Sequence, residues 1–322
     1  MVRITKPTPG AKTVEQSISS LESTANTEAT RLKEPSVGSA QVPQEYADGF
    51  EGRTDPSFKK SEVQSDALVP GTGRVPTLSA EVHRRLVELT KPDTLKDMYD
   101  LRSRISELDK IFVEHKDPRG LFTSLYRVIT NGAVDSVEKG LYEDNEWGAK
   151  LTHHFGRRYL ENLHGELTGG PTTRAWRVYY DQARDASVSP ERVAAMGAIV
   201  HLVADLPQAL VETGAPIERR EDFMLFGDNL LGCYEEMIES ARKGHGVHMD
   251  PVFSLLFVGD AIDAVAGDGT ATRIGYQTIR NKTWYAARGL TDSRRRLSQM
   301  EIDVSWRGFE RILAGLDATN MI

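Results

Sequence analysis

Cysteine is nearly absent from this 322-residue chain: Cys233 stands alone, so no internal disulfide and no cysteine-based zinc site can be built. Basic charge is not in excess either. The 40 Lys and Arg against 47 Asp and Glu leave a formal charge of −7, the opposite of a general nucleic-acid binder's basic footprint. No uninterrupted apolar run reaches the roughly 18 residues of a membrane span. The opening Met1-Val2-Arg3-Ile4-Thr5-Lys6 has no apolar stretch behind its charges, so no secretory signal is expected. Together these absences set the expectation of a soluble, cytoplasmic protein of a reducing compartment. Also missing are period-two alternation between hairpin turns, a Gly-x-Ser-x-Gly and any Cys–His nucleophile pairing. Gly267-Asp268-Gly269 is not followed by Lys-Ser or Lys-Thr, so it reads as a turn and not as a phosphate loop.

Aromatic residues are scarce at the start. Residues 1–76 hold Tyr46, Phe50, Phe58 and no tryptophan, yet they hold Pro7, Pro9, Pro35, Pro43, Pro56, Pro70 and Pro76 of the 14 prolines. Such a segment buries too little apolar surface to offset the entropy of ordering it. The expectation is a disordered or extended N-terminal arm over 1–76, free or docked on the body or on a partner. The helical domain then occupies 77–322.

What is present beyond that point is helix after helix. Val82, Leu86 and Leu89 predict a first one that stops at Lys91-Pro92. Met98, Leu101, Ile105, Leu108 and Phe112 form the next stripe, then Leu121, Leu125, Ile129, Ala133 and Val137. A helix over about 145–167 carries Leu151, Phe155, Tyr159 and Leu163, and Gly169-Gly170-Pro171 breaks it. A shorter one covers about 173–186. Phe223, Phe226, Leu230, Tyr234 and Met237 predict a single helix, followed by helices over about 250–266, 270–288 and 294–315. The fold class is all-α: one multi-helix bundle of about nine or ten helices around a buried central helix.

That central helix is the segment 190–213. Ser189-Pro190-Glu191 supplies a hydroxyl cap, a proline at the first helical position and an early acid. Residues 194–204 are apolar except for His201, and Asp205 follows four positions later on the same face. An imidazole and a carboxylate buried there must pair, hydrogen-bond or hold a metal. As a register-fixing polar contact, Asp205 would find Arg280, Arg157 or Arg158 as a further partner.

Several landmarks fall in a fixed order. They are Leu125-Tyr126-Arg127, Phe155-Gly156-Arg157-Arg158-Tyr159-Leu160, Trp176, His201-Leu202-Val203-Ala204-Asp205-Leu206, Asp222-Phe223 with Asn229, and Arg280 four residues before Trp284. Over roughly 119–290 this order resembles a bacterial domain-of-unknown-function family. Its members show a Leu-Tyr-Arg, a Phe-x-x-Arg-Tyr-Leu, a downstream Trp and a helix like Asn-Ala-His-Ile-Asn-x-Asp-Leu. The resemblance implies an all-helical fold and no settled activity. Ile199 and Val203 replace that helix's two asparagines, so any role of theirs in placing substrate or water is not carried over. The same helix, by its His-x-x-x-Asp, is also similar to the central helix of zinc-dependent phospholipase C and the S1-type nucleases, which implies a divalent metal such as zinc. Ligands one turn apart can share an ion at about 2.0–2.2 Å. His201 and Asp205 would then be joined by further donors from His153, His154, Asp228, Glu235, Asp260 or Asp263, with His154 and Asp228 placed first.

Three functions follow, in this order. The first is a metal-dependent, phosphoester-type hydrolase, with His201 and Asp205 as ligands and Arg280 as a third catalytic group. The second is a metal-free tailoring enzyme or small-molecule-binding protein, its aromatic cavity lined by Phe155, Tyr159, Trp176 and Trp284. The third is a non-catalytic interaction protein that uses its N-terminal arm. His245 and His248, Glu235 and Glu239, and Arg294-Arg295-Arg296 read as solvated connectors and faces, and Cys233 as core. Limited proteolysis is expected to leave a resistant fragment starting between about residues 70 and 80. A truncation there that lowers the melting temperature by more than a few degrees would show that the arm packs on the body.

Overall fold

In a computed structural model of the chain, residues 68–69, 71–256 and 270–322 are described. Residues 1–67 of the expected arm lie outside them, as do Asp260, Asp263 and the Gly267-Asp268-Gly269 turn. Eleven α-helices dominate the described residues: α1 Ala80–Thr90, α2 Met98–Glu114, α3 Leu121–Glu138, α4 Asn145–Thr168, α5 Arg174–Arg184 and α6 Pro190–Thr213. They continue with α7 Arg220–Leu231, α8 Tyr234–His245, α9 Asp250–Leu256, α10 Thr270–Leu290 and α11 Arg295–Ala318. Side-chain caps start four of them, the Ser189 cap as the sequence predicts. Ser79, Asp97, Asp144 and Ser189 each accept a backbone N–H of the first turn of α1, α2, α4 and α6.

Two details depart from the expectation. The stripe from Phe223 to Met237 belongs to two helices, because the chain turns at Gly232-Cys233. Its halves serve different neighbours: α7 packs against α10 as well as α3, whereas α8 runs along α3, so one straight rod could not serve both. Secondly, a short antiparallel pair is present, β1 Leu68–Val69 with β2 Leu78–Ser79, placing Leu68 opposite Ser79 and Val69 opposite Leu78.

Residues 71–77, of which 71–76 were expected in the N-terminal arm, form a strap across the C-terminal end of α5. Arg74 Nε donates to the Ala183 carbonyl at 2.8 Å, Nη1 to Val188 at 3.0 Å and Nη2 to Gln182 at 3.3 Å. Its N–H reaches the Arg184 carbonyl at 3.0 Å. A cation on carbonyls that the helix cannot satisfy itself is a favourable end to that helix. Gly73, at φ 59°, passes so close that a Cβ would lie 2.0 Å from the Arg184 oxygen.

Helix α6 is the axis of the bundle, touching α3, α4, α5, α10 and α11. Averaged along its length it is long and apolar enough to cross a membrane, a property that a count of uninterrupted runs misses, but most of it is buried inside the protein. Pro207 lacks an N–H, and its ring crowds the Val203 carbonyl one turn back. At this point the helix widens into a π turn over His201–Asp205, and the Leu206 N–H bonds to the His201 carbonyl. Upstream, Gly197 lets α6 press onto α3 and α5. A Cβ there would meet Phe122 Cβ at 2.5 Å and Tyr179 Cε2 at 2.9 Å. Gly197→Ala is therefore expected to cost about 1–3 kcal/mol by overpacking, read as a lower urea midpoint at unchanged slope. An unshifted midpoint would show that α6 does not need this close approach.

Candidate functional site

The π turn of α6 delivers His201 and Asp205 to the most aromatic part of the core. Both are nearly sealed, at 2% and 3% exposure. His201 Nδ1 lies 2.8 Å from Asp205 Oδ2, and the same oxygen accepts the Trp176 indole Nε1–H at 2.8 Å. A carboxylate oxygen facing Nδ1 fixes the tautomer: Nδ1 carries the proton and Nε2 carries the lone pair. Burial pushes the imidazole below its ordinary value, more strongly than the hydrogen bond and charge of Asp205 raise it. His201 is thus neutral at pH 7.

Rings close around the imidazole. Phe155 from α4 stacks on it with centroids 3.7 Å apart and planes within 10°. Tyr126 from α3 presents an edge-to-face contact at 4.5 Å, and Phe122 stands at 5.3 Å. Tyr159 and Trp176 complete the wall at 6.1 and 6.2 Å. The tyrosines do not spend their hydroxyls on His201. Tyr159 shares a 2.5 Å hydrogen bond with Thr123, and burial raises its phenol far above the ordinary range. Among the described residues, His201 Nε2 is left buried without a hydrogen-bond partner. A buried acceptor of this kind normally costs stability, so its persistence calls for a reason.

The structure brings together His201, Asp205, Phe155, Tyr159 and Trp176 from the sequence-derived set. It places the others elsewhere. Arg280 and Trp284, both fully buried, belong to a second cluster built on α7: the Arg280 guanidinium lies 3.9 Å over the Phe223 ring, and Trp284 packs on Phe223 at 5.1 Å. Arg280 also donates to the Phe223 carbonyl. His154 Nδ1 stands 3.5 Å from Glu212, which Arg158 also engages, and Arg157 pairs with Glu161 and Asp93. Neither Arg157 nor Arg158 is the partner of Asp205; Trp176 takes that place. Asp228 sits half-buried on α7. Among the described residues no three His, Cys, Asp or Glu side chains converge on a point able to hold a metal ion.

Of the weaker candidates, Glu239 forms ion pairs with Arg242 and Lys243, and Arg294 with Asp292, as solvated faces do. Cys233 is half-buried, its thiol raised by burial. Two site residues escaped the sequence reading, Phe122 and Tyr126. The signal was there: they lie at i and i+4 beside the Leu121–Leu125 stripe, and Tyr126 is the centre of the Leu-Tyr-Arg landmark.

A family model described as a family of unknown function (DUF5995) matches residues 98–314. No curated protein and no solved structure matches the chain.

Removing His201 alone leaves the buried Asp205 carboxylate with the Trp176 indole in place of two donors, so His201→Leu is expected to cost about 3–5 kcal/mol, and joint replacement of both residues by leucine to recover much of that. Additive losses in the double-mutant cycle would show that the pair is not coupled. A second test uses pH. A histidine neutral in the fold and basic when unfolded adds full stability above about pH 6.5. That contribution declines as the pH falls toward the depressed folded value. His83, His153, His154, His164 and His245 are depressed by burial in the same sense. His201→Gln should therefore flatten, without abolishing, the fall in urea midpoint between about pH 7 and about pH 5. A slope parallel to that of the wild type would contradict a neutral, buried His201.

Proposed function

The chain belongs to this family of unknown function, and we propose that it binds a small planar molecule at His201 and takes a proton from it with Nε2. One observation carries this reading: a neutral imidazole, oriented by Asp205, keeps inside aromatic walls a lone pair that no described residue engages. The arrangement suits general-base work. Asp205 holds the tautomer in which Nε2 accepts, and its charge stabilises the imidazolium formed on proton uptake. The Trp176 indole keeps the carboxylate from swinging away. Flat rings on several sides favour a substrate with an aromatic face and an acidic O–H, such as a phenol. Because His201 is sealed, the substrate enters by displacing Phe155, the ring stacked on the imidazole face.

The metal-dependent hydrolase drew on the same two residues. It needs a third donor near them, and none of the described residues supplies one; Asp260 and Asp263 lie outside the described residues. We therefore derive no step through a metal. A non-catalytic role for the N-terminal arm rests on residues outside the description.

The test joins imidazole nitrogen NMR with a panel of phenols. The expected result is a neutral His201 protonated at Nδ1, perturbed together with Phe155 by fragments of the panel. Binding is expected to vanish in His201→Leu and to survive in Trp284→Phe. A proton found on Nε2 would overturn the reading, as would fragments that leave His201 unmoved. Stoichiometric zinc retained after dialysis and lost in His201→Ala would overturn it in favour of the hydrolase.

A further inference from the structure

A cavity of about 170 Å³ lies beneath the strap, bounded by α1, α4 and α5 and separate from the His201 cage. Its lining combines polar Thr72, His83, Arg119, Glu166 and Arg184 with apolar Val75, Leu78 and Leu167. Arg119 is the unusual member, an arginine only 7% exposed. It lends Nε and Nη2 to the carboxylate of Asp117, which is completely buried. Its Nη1 stands 3.8 Å from Glu166 Oε1, outside hydrogen-bond range. Glu166 is already engaged by Arg184. Arg184 Nε in turn donates to Thr72 Oγ1 at 3.1 Å, which leaves the Thr72 hydroxyl proton available to another acceptor. A buried cation, one of whose nitrogens is held only by the 3.8 Å ion pair with Glu166, therefore lines a space shared with apolar side chains.

We propose that this cavity binds a short organic carboxylate. The carboxylate oxygens take the Arg119 Nη1 donors and the Thr72 hydroxyl, and the hydrocarbon body lies against Val75, Leu78 and Leu167. Size supports the assignment, because an apolar cavity of about 150 Å³ accommodates a benzene ring. Chemistry supports it too: guanidinium and hydroxyl donors match a carboxylate, while an inorganic oxyanion would leave Val75, Leu78 and Leu167 without an apolar partner. The roof is built to stay in place. Arg74 fastens the strap to the end of α5, the helix that carries Arg184, and Gly73 passes that end at a distance no side chain permits.

The test uses the full chain, titrated with butyrate and benzoate and, in parallel, with butyramide and inorganic phosphate. Calorimetry reads binding, and the His83 imidazole signals report its location. The expected outcome is that both carboxylates bind and shift His83, whereas butyramide and phosphate bind at least about tenfold more weakly for want of a charge-assisted contact or an apolar one. Leu78→Phe, which narrows the cavity from one of its apolar lining positions and leaves the Asp117 ion pair untouched, should weaken butyrate by about tenfold or more with the helical spectrum unchanged. Arg119→Lys should do the same where it folds. His201→Leu should leave carboxylate binding as it is, so this proposal and the His201 reading stand or fall separately. Absence of binding by either carboxylate would overturn the proposal. So would equal binding of butyramide or phosphate, or butyrate affinity unchanged in Leu78→Phe.

Discussion

One carboxylate oxygen, Asp205 Oδ2, holds the middle of this protein together by accepting hydrogen bonds from His201 and Trp176 at once. Those residues come from α6 and α5, and the rings packed on the imidazole come from α3 and α4. A charge in so apolar a setting tolerates little misplacement, because every lost contact leaves it unsolvated. The relative positions of four helices are thereby tied to one polar contact in the wide turn ahead of Pro207.

The same logic recurs wherever helices meet. Asp109 on α2 accepts from Ser124 and Arg127 on α3, and Arg127 reaches Ser240 on α8, whose hydroxyl donates back to the Ser124 carbonyl. Asp222 accepts the N–H groups of Glu143 and Asp144 where α4 begins. Arg127 and Asp222 are among the ordered landmarks of the sequence, and in the structure each is a clamp between elements. His201 differs from them in one respect. Its outer nitrogen is buried and meets no hydrogen-bond partner among the described residues.

Much of the fold was legible. Cap residues and three-to-four-residue apolar spacing give the helices and their starts, since both are local consequences of backbone hydrogen bonding and side-chain periodicity. The pairing of His201 with Asp205 was legible for the same reason, as i and i+4 share a face on any helix. Less legible was the break at Gly232-Cys233. The apolar stripe runs through it unbroken, and the turn answers to two different packing partners that lie far off in the chain.

The sequence by itself determined that the chain is helical, that 190–213 is its buried axis, and that His201 and Asp205 face one way. Only the tertiary structure decided what surrounds them. It chose Trp176 and not an arginine as the second partner of Asp205, set Arg280 and Trp284 in a cluster on Phe223, and brought Phe122 and Tyr126 to the imidazole. The physical reason is range. Helix periodicity fixes which face a side chain occupies within a few residues, whereas the angle and register between helices follow from packing across the whole bundle.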